Sequence, residues 1–333
     1  MKVLLLGGNG LLGHNVLKQL LQQGHEVHAL LRSSLDKDAS VWQGMSDRFT
    51  LFQGSLLDDA ALQAAAEGCD AIINCAGVTD MSLLRYDDYL PVNRDLCFRL
   101  ILLMNKLHIT RLVHVSTANT IGYGSPQQSA TEQSPIQSPF SHSYYAKSKQ
   151  EGEAILLQAA RQHPDWHIVI VNPGFMIGAY DTKPSSGTLL LAGYRRPLMV
   201  APRGGKSFVH VADAAAAIVN ALDCGQNGHR YLLTGQNLTL KEFYRLQAKA
   251  CGYRQWIVPL PNAVLAVAGW CGDLLRLCGL RTQLSTRNVR QLMVREYYDN
   301  AAARTELAMP QTEIEQAVGD FFGWYLSHSS YGK

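Results

Sequence analysis

Short apolar runs alternate with longer stretches of helical spacing through the first half of this chain. The runs at Lys2–Leu6, Glu26–Leu31, Phe49–Gln53, Ala71–Cys75, Leu112–Ser116 and Ile168–Val171 have strand length, and Gly, Asn, Asp or Pro punctuate the connections. Between them, Leu11–Gln22, Asp58–Ala66, Leu96–Leu107 and Ser143–Arg161 place apolar residues at helical intervals. Strict strand–helix alternation predicts parallel strands joined by crossover helices, an α/β doubly wound sheet. After Pro173 the rhythm changes. Gly, Pro and Arg become frequent from Pro184 to Lys206, and short strands at Ser207–Val211 and Arg230–Leu233 then mix with helices. We therefore expect a first domain over 1–173, with strand and helix contributions from about 207–235, and a smaller mixed α/β C-terminal lobe over 174–333. The Ser-, Gln- and Pro-rich stretch Ser125–Ser141 reads as a surface loop able to edge a cleft.

Composition narrows the class. At 333 residues, 47% hydrophobic and 17% charged, the chain can bury a sizeable core. A net charge of +3 without a dense basic run argues against a nucleic-acid partner. The N-terminal apolar run breaks into glycine after Leu6, so it reads as a first strand rather than a secretion signal. Seven cysteines without a CxxC pair suit buried free thiols in a reducing compartment, and we expect a cytoplasmic protein with no metal site. Leu260–Leu280 is apolar but carries Asp273 and Arg276, which is too polar for a membrane span. It reads as an amphipathic helix covering the C-terminal lobe, with binding to a membrane surface as the alternative.

The first strand runs into Gly7-Gly8-Asn9-Gly10-Leu11-Leu12-Gly13. Two glycine frames overlap here, Gly8-x-Gly10-x-x-Gly13 and Gly7-x-x-Gly10-x-x-Gly13. In either, missing side chains let backbone approach a pyrophosphate while the next helix aims its N-terminal amides at it. The second strand ends in Arg32, with no carboxylate until Asp36. A guanidinium there suits a ribose 2′-phosphate, which favours NADP(H) over NAD(H).

Tyr145 and Lys149 stand four apart on a predicted helix and so share a face. A cation beside a phenol favours the phenolate and brings the group within reach of proton exchange with an alcohol or ketone. Ser116 and Thr117 close the fifth strand and point to opposite sides, so one of them can hydrogen-bond a substrate carbonyl. Small residues after the fourth strand, Ala76 and Gly77, leave room for a ribose.

With these motifs in this order, the chain resembles an extended short-chain dehydrogenase/reductase of the NAD-dependent epimerase/dehydratase group. Within it, the chain is most similar to the dihydroflavonol-4-reductase-like branch and the hopanoid-associated sugar epimerases named with it. The resemblance runs nearly end to end, through Gly68-Cys69-Asp70, Val92-Asn93, Ser116–Gly122, Tyr145–Lys149, Asn172-Pro173, Phe208–Val211 with Asp213, Tyr231–Leu233 and Asn237–Leu240. It implies a Rossmann-type dinucleotide-binding domain with a substrate-binding lobe. It also implies Thr117, Tyr145 and Lys149 as catalytic residues, with Lys149 holding the nicotinamide ribose. Cofactor contacts are implied for Gly7, Asn9, Gly10, Leu11, Leu12, Gly13, Arg32, Ser55, Leu56, Ala76, Gly77, Val115, Tyr145, Lys149, Pro173 and Phe175. Two positions depart from the pattern: Leu6 replaces a threonine, and Ser55 replaces the aspartate that meets adenine.

The expected function is NADP(H)-dependent reduction of a small ketone or aldehyde, or oxidation of the matching alcohol. A nucleotide-sugar epimerase or dehydratase and a non-catalytic dinucleotide-binding protein are the alternatives. Sugar-nucleotide enzymes of this kind carry an Arg-Asp pair where this chain has Lys206-Ser207, which favours the reductase. A homodimer is expected through Leu96–Leu107 and Ser143–Arg161, since the first of these helices is apolar beyond one face.

Overall fold

The computed structural model describes residues 1–32, 47–182 and 185–328. Its first half is built from β1 (Lys2–Leu6), α1 (Leu11–Gln22), β2 (Glu26–Leu31), β3 (Phe49–Gln53), α2 (Asp59–Ala66), β4 (Ala71–Asn74), α3 (Leu96–Leu107), β5 (Arg111–Val115), α4 (Tyr144–Gln162) and β6 (His167–Pro173). Then follow β7 (Phe175–Ile177), α5 (Gly187–Gly193), β8 (Leu198–Pro202), β9 (Gly205–His210), α6 (Val211–Asn220), β10 (Arg230–Leu233) and β11 (Gln236–Thr239). The chain continues through α7 (Leu240–Ala250), β12 (Trp256–Leu260), α8 (Asn262–Leu277), α9 (Thr286–Gln291), α10 (Ala301–Glu306) and α11 (Ile314–Ser327).

Seven parallel strands form the main sheet in the order β3-β2-β1-β4-β5-β6-β10. The order reverses between β1 and β4, which opens a crevice at their carboxyl ends. Strand pleat explains why β1 is apolar throughout. Val3 and Leu5 pack with Val16, Leu17 and Leu20 of α1, while Leu4 and Leu6 point the other way onto Leu96 and Leu100 of α3. All four are fully buried, each stabilising the sheet by roughly 1.5–3 kcal/mol.

The strand β10 returns to pair with β6, and α6 lies against α1, so residues near 211–233 complete the main sheet and its cover. A three-stranded sheet, β11-β9-β7, starts only one residue after β6, and a separate parallel ribbon joins β12 to β8. The 125–141 stretch is a loop pinned at both ends of its first half, by bridges Gly124↔Tyr297 and Ala130↔Tyr298. No helix among the described residues is long and apolar enough to cross a membrane.

Two expectations change. Cys69 and Cys97 are buried, but Cys224, Cys271 and Cys278 are exposed, because they sit at or beyond helix ends or on an outward face. The apolar helix α8 turns only Leu265, Gly269 and Gly272 inward, while Val264, Val267 and Trp270 face out. Its glycines let it pack closely: a Cβ at Gly272 would lie 2.2 Å from the Leu284 carbonyl oxygen.

Candidate active site

The glycine turn crosses the reversal point between β1 and β4. Gly7 adopts φ +77°, and a Cβ on it would lie 2.7 Å from the Ala76 amide nitrogen. A Cβ on Gly13 would lie 2.1 Å from the Gly7 carbonyl oxygen. Gly8 makes only ordinary contacts, with Leu5 Cδ2 at 3.4 Å the nearest. The tight frame is therefore Gly7-x-x-Gly10-x-x-Gly13. Gly10 caps α1, whose first turn has no side-chain cap and no acidic residue. Its free amides and the helix dipole favour an anion there. This cradle fits a dinucleotide pyrophosphate.

The other expected contacts ring the same crevice. Asn9 and Leu11 are half-buried, Leu12 is buried, and Arg32 is exposed just beyond β2. Ser55 and Leu56 form the turn after β3, where the Leu57 amide donates to Ser55 Oγ at 3.1 Å. Ala76 and Gly77 follow β4, and a Cβ on Gly77 would lie 3.4 Å from Lys149 Nζ. Asn93 exchanges hydrogen bonds with the Val78 backbone, at 2.8 and 3.0 Å, and donates to Ser148 Oγ at 2.9 Å. It thereby ties the loop after β4 to α4.

Ser143 caps α4, and the helix then presents Tyr145 and Lys149 at the end of β5. The buried Lys149 ammonium donates to the Val115 carbonyl at 2.7 Å and to Ala76 O at 3.4 Å. Burial lowers its pKa. Tyr145 is half-buried beside the Thr117 hydroxyl. Desolvation pushes its phenol up to about 12, against the opposing pull of Thr117. The expected depression by Lys149 is thus not found, because the ammonium is spent on two carbonyl oxygens while the phenol loses water. At neutral pH Tyr145 holds its proton and is an acid.

Ser116 turns the opposite way from Thr117 and donates to Glu153. Sequence reading missed Glu153. It is 2% exposed, and one of its oxygens also accepts from Thr120 Oγ1 at 2.6 Å and Asn172 Nδ2 at 2.8 Å. The Arg230 guanidinium stands 3.7 Å from its other oxygen. Asn172 further donates to the Thr117 carbonyl at 3.1 Å. This buried carboxylate therefore fastens α4, β6 and β10 beneath the strand end that carries Thr117. The only sequence signal was a Glu on the inward face of α4, eight residues after Tyr145.

Tyr144 lies off the site, stacked under the Arg287 guanidinium at 3.6 Å and near Tyr86. Pro173 is buried, and Phe175 is half-buried with its edge against Phe208 at 5.4 Å. Lys206 reaches over Phe175 but pairs with the buried Glu296 at 2.6 Å. Burial raises the Glu296 pKa, and Lys206 opposes that rise.

Residues 3–233 match the NAD dependent epimerase/dehydratase family. The chain belongs to that family. Over 97% of its length it is 30% identical to a putative dihydroflavonol 4-reductase of Synechocystis, 94% of which is covered. It is 26% identical to sterol demethylase protein B of Methylococcus capsulatus over 98% of both chains. The fold is shared with a UDP-glucose-4-epimerase from Stenotrophomonas maltophila solved with bound NAD, at TM-score 0.78, 19% identity and 99% coverage of each chain. The protein is thus an enzyme of the extended short-chain dehydrogenase/reductase type, in the dihydroflavonol-4-reductase-like branch, and binds NAD(P).

Proposed function

We propose that this enzyme is an NADP(H)-dependent reductase of a small ketone or aldehyde, with Tyr145 as proton donor. The observation that carries this reading is the hydroxyl pair Thr117–Tyr145 at the carboxyl end of β5, with Lys149 buried behind it. The dinucleotide, when bound, supplies the hydride. Tyr145 gives its proton to the oxygen that develops charge, and Thr117 donates a hydrogen bond to that same oxygen. Lys149 stands one helical turn from Tyr145 and is in reach of a ribose beside Gly77. A phenol that stays protonated at neutral pH suits the reductive direction. Pro173 and Phe175 border the nicotinamide, and Ser55 and Leu56 the adenine side. Residues 1–173 with about 207–235 form the cofactor domain, and the rest of 174–333 the substrate lobe.

Arg32 is solvent-facing at the ribose end, which supports NADP(H) over NAD(H). The Lys206–Glu296 pair supports reduction over nucleotide-sugar chemistry. A lysine already neutralised by a buried carboxylate is a poor clamp for a diphosphate, since releasing it strands a buried charge. Three exposed free thiols fit the reducing cytoplasm. The homodimer is supported by Phe98 and Leu102, both more than half exposed on α3. They border a cavity of about 640 Å³ that reaches Ile155 of α4.

Thermal stabilisation by NADPH, NADH and a panel of nucleotide-diphosphate sugars tests the reading. Ligands that bind only the native state raise its melting temperature by mass action. Larger shifts with NADPH than NADH, and none from the sugars, are expected; strong stabilisation by a UDP- or dTDP-sugar contradicts it.

A further inference from the structure

The outward face of α8 is apolar. Val264, Val267, Trp270 and Leu274 recur at helical spacing, and Trp270 is 62% exposed. One proline separates α8 from β12, whose own outward residues Trp256 and Val258 lie opposite Leu198 and Val200 of β8. All four are exposed, Trp256 by 81%. A helix that hides its glycines and shows its tryptophan inverts the ordinary arrangement of a globular surface. Exposed apolar patches of this kind mark interaction sites.

Charge identifies the partner. Residues 185–206 and 254–296, which build the ribbon, α8 and α9, contain ten Lys and Arg and two acids, Asp273 and Glu296, the second of them the partner of Lys206. The whole chain is only +3, so the remainder is acidic. Arg195, Arg196, Arg254 and Arg281 are exposed within this region. Two copies meeting through it would bring like charges together, which disfavours a dimer here. An anionic surface complements it. With 16 residues α8 is too short to span a bilayer, but apolar and tryptophan side chains rimmed by arginine suit its interface.

We propose that α8 and the β8–β12 ribbon dock the enzyme on an anionic phospholipid bilayer. The docked face reaches the loop after β4 and the start of α4. Arg276 of α8 donates to the carbonyls of Leu83, at 2.5 Å, and of Met81 and Ser82, in the loop following β4. Arg287 of α9 stacks on Tyr144, the neighbour of Tyr145. A cavity of about 550 Å³ lies between them, lined by Leu84, His142, Arg276, Leu277, Arg287 and Arg290 among others. An amphiphilic substrate would thus pass from the lipid to this cavity beside the loop of Gly77. The docking surface itself does not depend on the reductase reading.

Co-sedimentation of the full chain with vesicles tests the proposal without any substrate. Vesicles of phosphatidylcholine and phosphatidylglycerol in equal parts should bind the protein, blue-shift its tryptophan emission and be quenched by brominated acyl chains. Pure phosphatidylcholine should bind at least about tenfold more weakly, and salt should reduce binding to the mixed vesicles. Val267→Glu with Trp270→Glu should cut binding at least about tenfold while leaving NADPH affinity and the melting curve unchanged. Arg254→Glu with Arg281→Glu, away from the helix packing, should weaken binding to the anionic vesicles alone. No binding to either vesicle overturns the proposal, as does equal binding to both. A dimer that Trp270→Glu dissociates would make this face a contact between copies and would also overturn it.

Discussion

Replacing Gly13 with alanine puts a methyl 2.1 Å from the Gly7 carbonyl oxygen, 2.8 Å from its carbon and 2.9 Å from Gly8 Cα. Favourable carbon contacts lie near ~3.5–4.0 Å, so the neighbour must move by more than an ångström. Gly7 has nowhere to go. It is held at φ +77° beside the Cys75 and Ala76 backbone, and all the crowding atoms are backbone. The turn must open, and overpacking of this kind costs about 1–3 kcal/mol. For a chain of this length that is a fall in melting midpoint of roughly 1–5 °C. Opening the turn also spoils the amide cradle, and a loss of about 1.4 kcal/mol in binding is a tenfold rise in Kd for NADPH. Gly8→Ala is the matched control. Its methyl would meet Leu5 and Ala29 side chains at 3.4–3.9 Å, outside the left-handed region, so its stability should change by less than about 1 kcal/mol. Scanning fluorimetry and NADPH fluorescence titration of both variants give the answer. If Gly8→Ala lost binding as fully as Gly13→Ala, the assigned glycine frame would be wrong.

Arg32→Asp should weaken NADP(H) and strengthen NAD(H), shifting the affinity ratio by at least about tenfold; an unchanged ratio in paired titrations would remove Arg32 from the site. Glu153→Leu should destabilise the protein by about 3–5 kcal/mol in urea melts, because it takes the shared acceptor from three buried donors, while Glu153→Gln should cost less; equal, negligible effects would refute the network. Phe98→Glu with Leu102→Glu should convert a dimer to a monomer by light scattering, and a monomeric wild type at micromolar concentration would refute that interface. The Tyr145 phenol is raised to about 12 in the fold from about 10 in an unfolded chain, so its contribution to stability is full below about pH 10 and lost as pH climbs to 12. By the same token kcat/KM for reduction should hold steady through neutral pH and fall only in alkali; a fall centred near pH 7 would contradict the acid role.

Much of the sheet was legible because each apolar run is bounded by a turn residue. The pattern predicted β1, α1, β2, β3 and α3 to the residue. Ends that depend on tertiary contact were not: β6 continues to Pro173 because β10 comes back to pair with it. Tyr145 and Lys149 stood out because their spacing is local, whereas the choice of Thr117 over Ser116 came from the family resemblance. Glu153 did not, since its partners Ser116, Thr120, Asn172 and Arg230 gather from three separated segments. The phenol pKa was misjudged for a related reason. Helical spacing places Lys149 on the right face, but only the folded strand ends show the carbonyls of Val115 and Ala76 claiming its charge. The outward face of α8 was hidden as well. Periodicity finds an apolar stripe but cannot tell which side meets the protein, and here close packing at Gly269 and Gly272 decided it.

The most direct test follows NADPH consumption and alcohol formation together, for wild type and Tyr145→Phe, across a panel of ketones and aldehydes. The account predicts that the wild type uses one NADPH per alcohol formed. Tyr145→Phe should bind NADPH with unchanged Kd yet turn over at least about a hundredfold more slowly, the usual worth of a general acid. Full activity in Tyr145→Phe would contradict it. So would a wild type that interconverts nucleotide sugars with no net loss of NADPH.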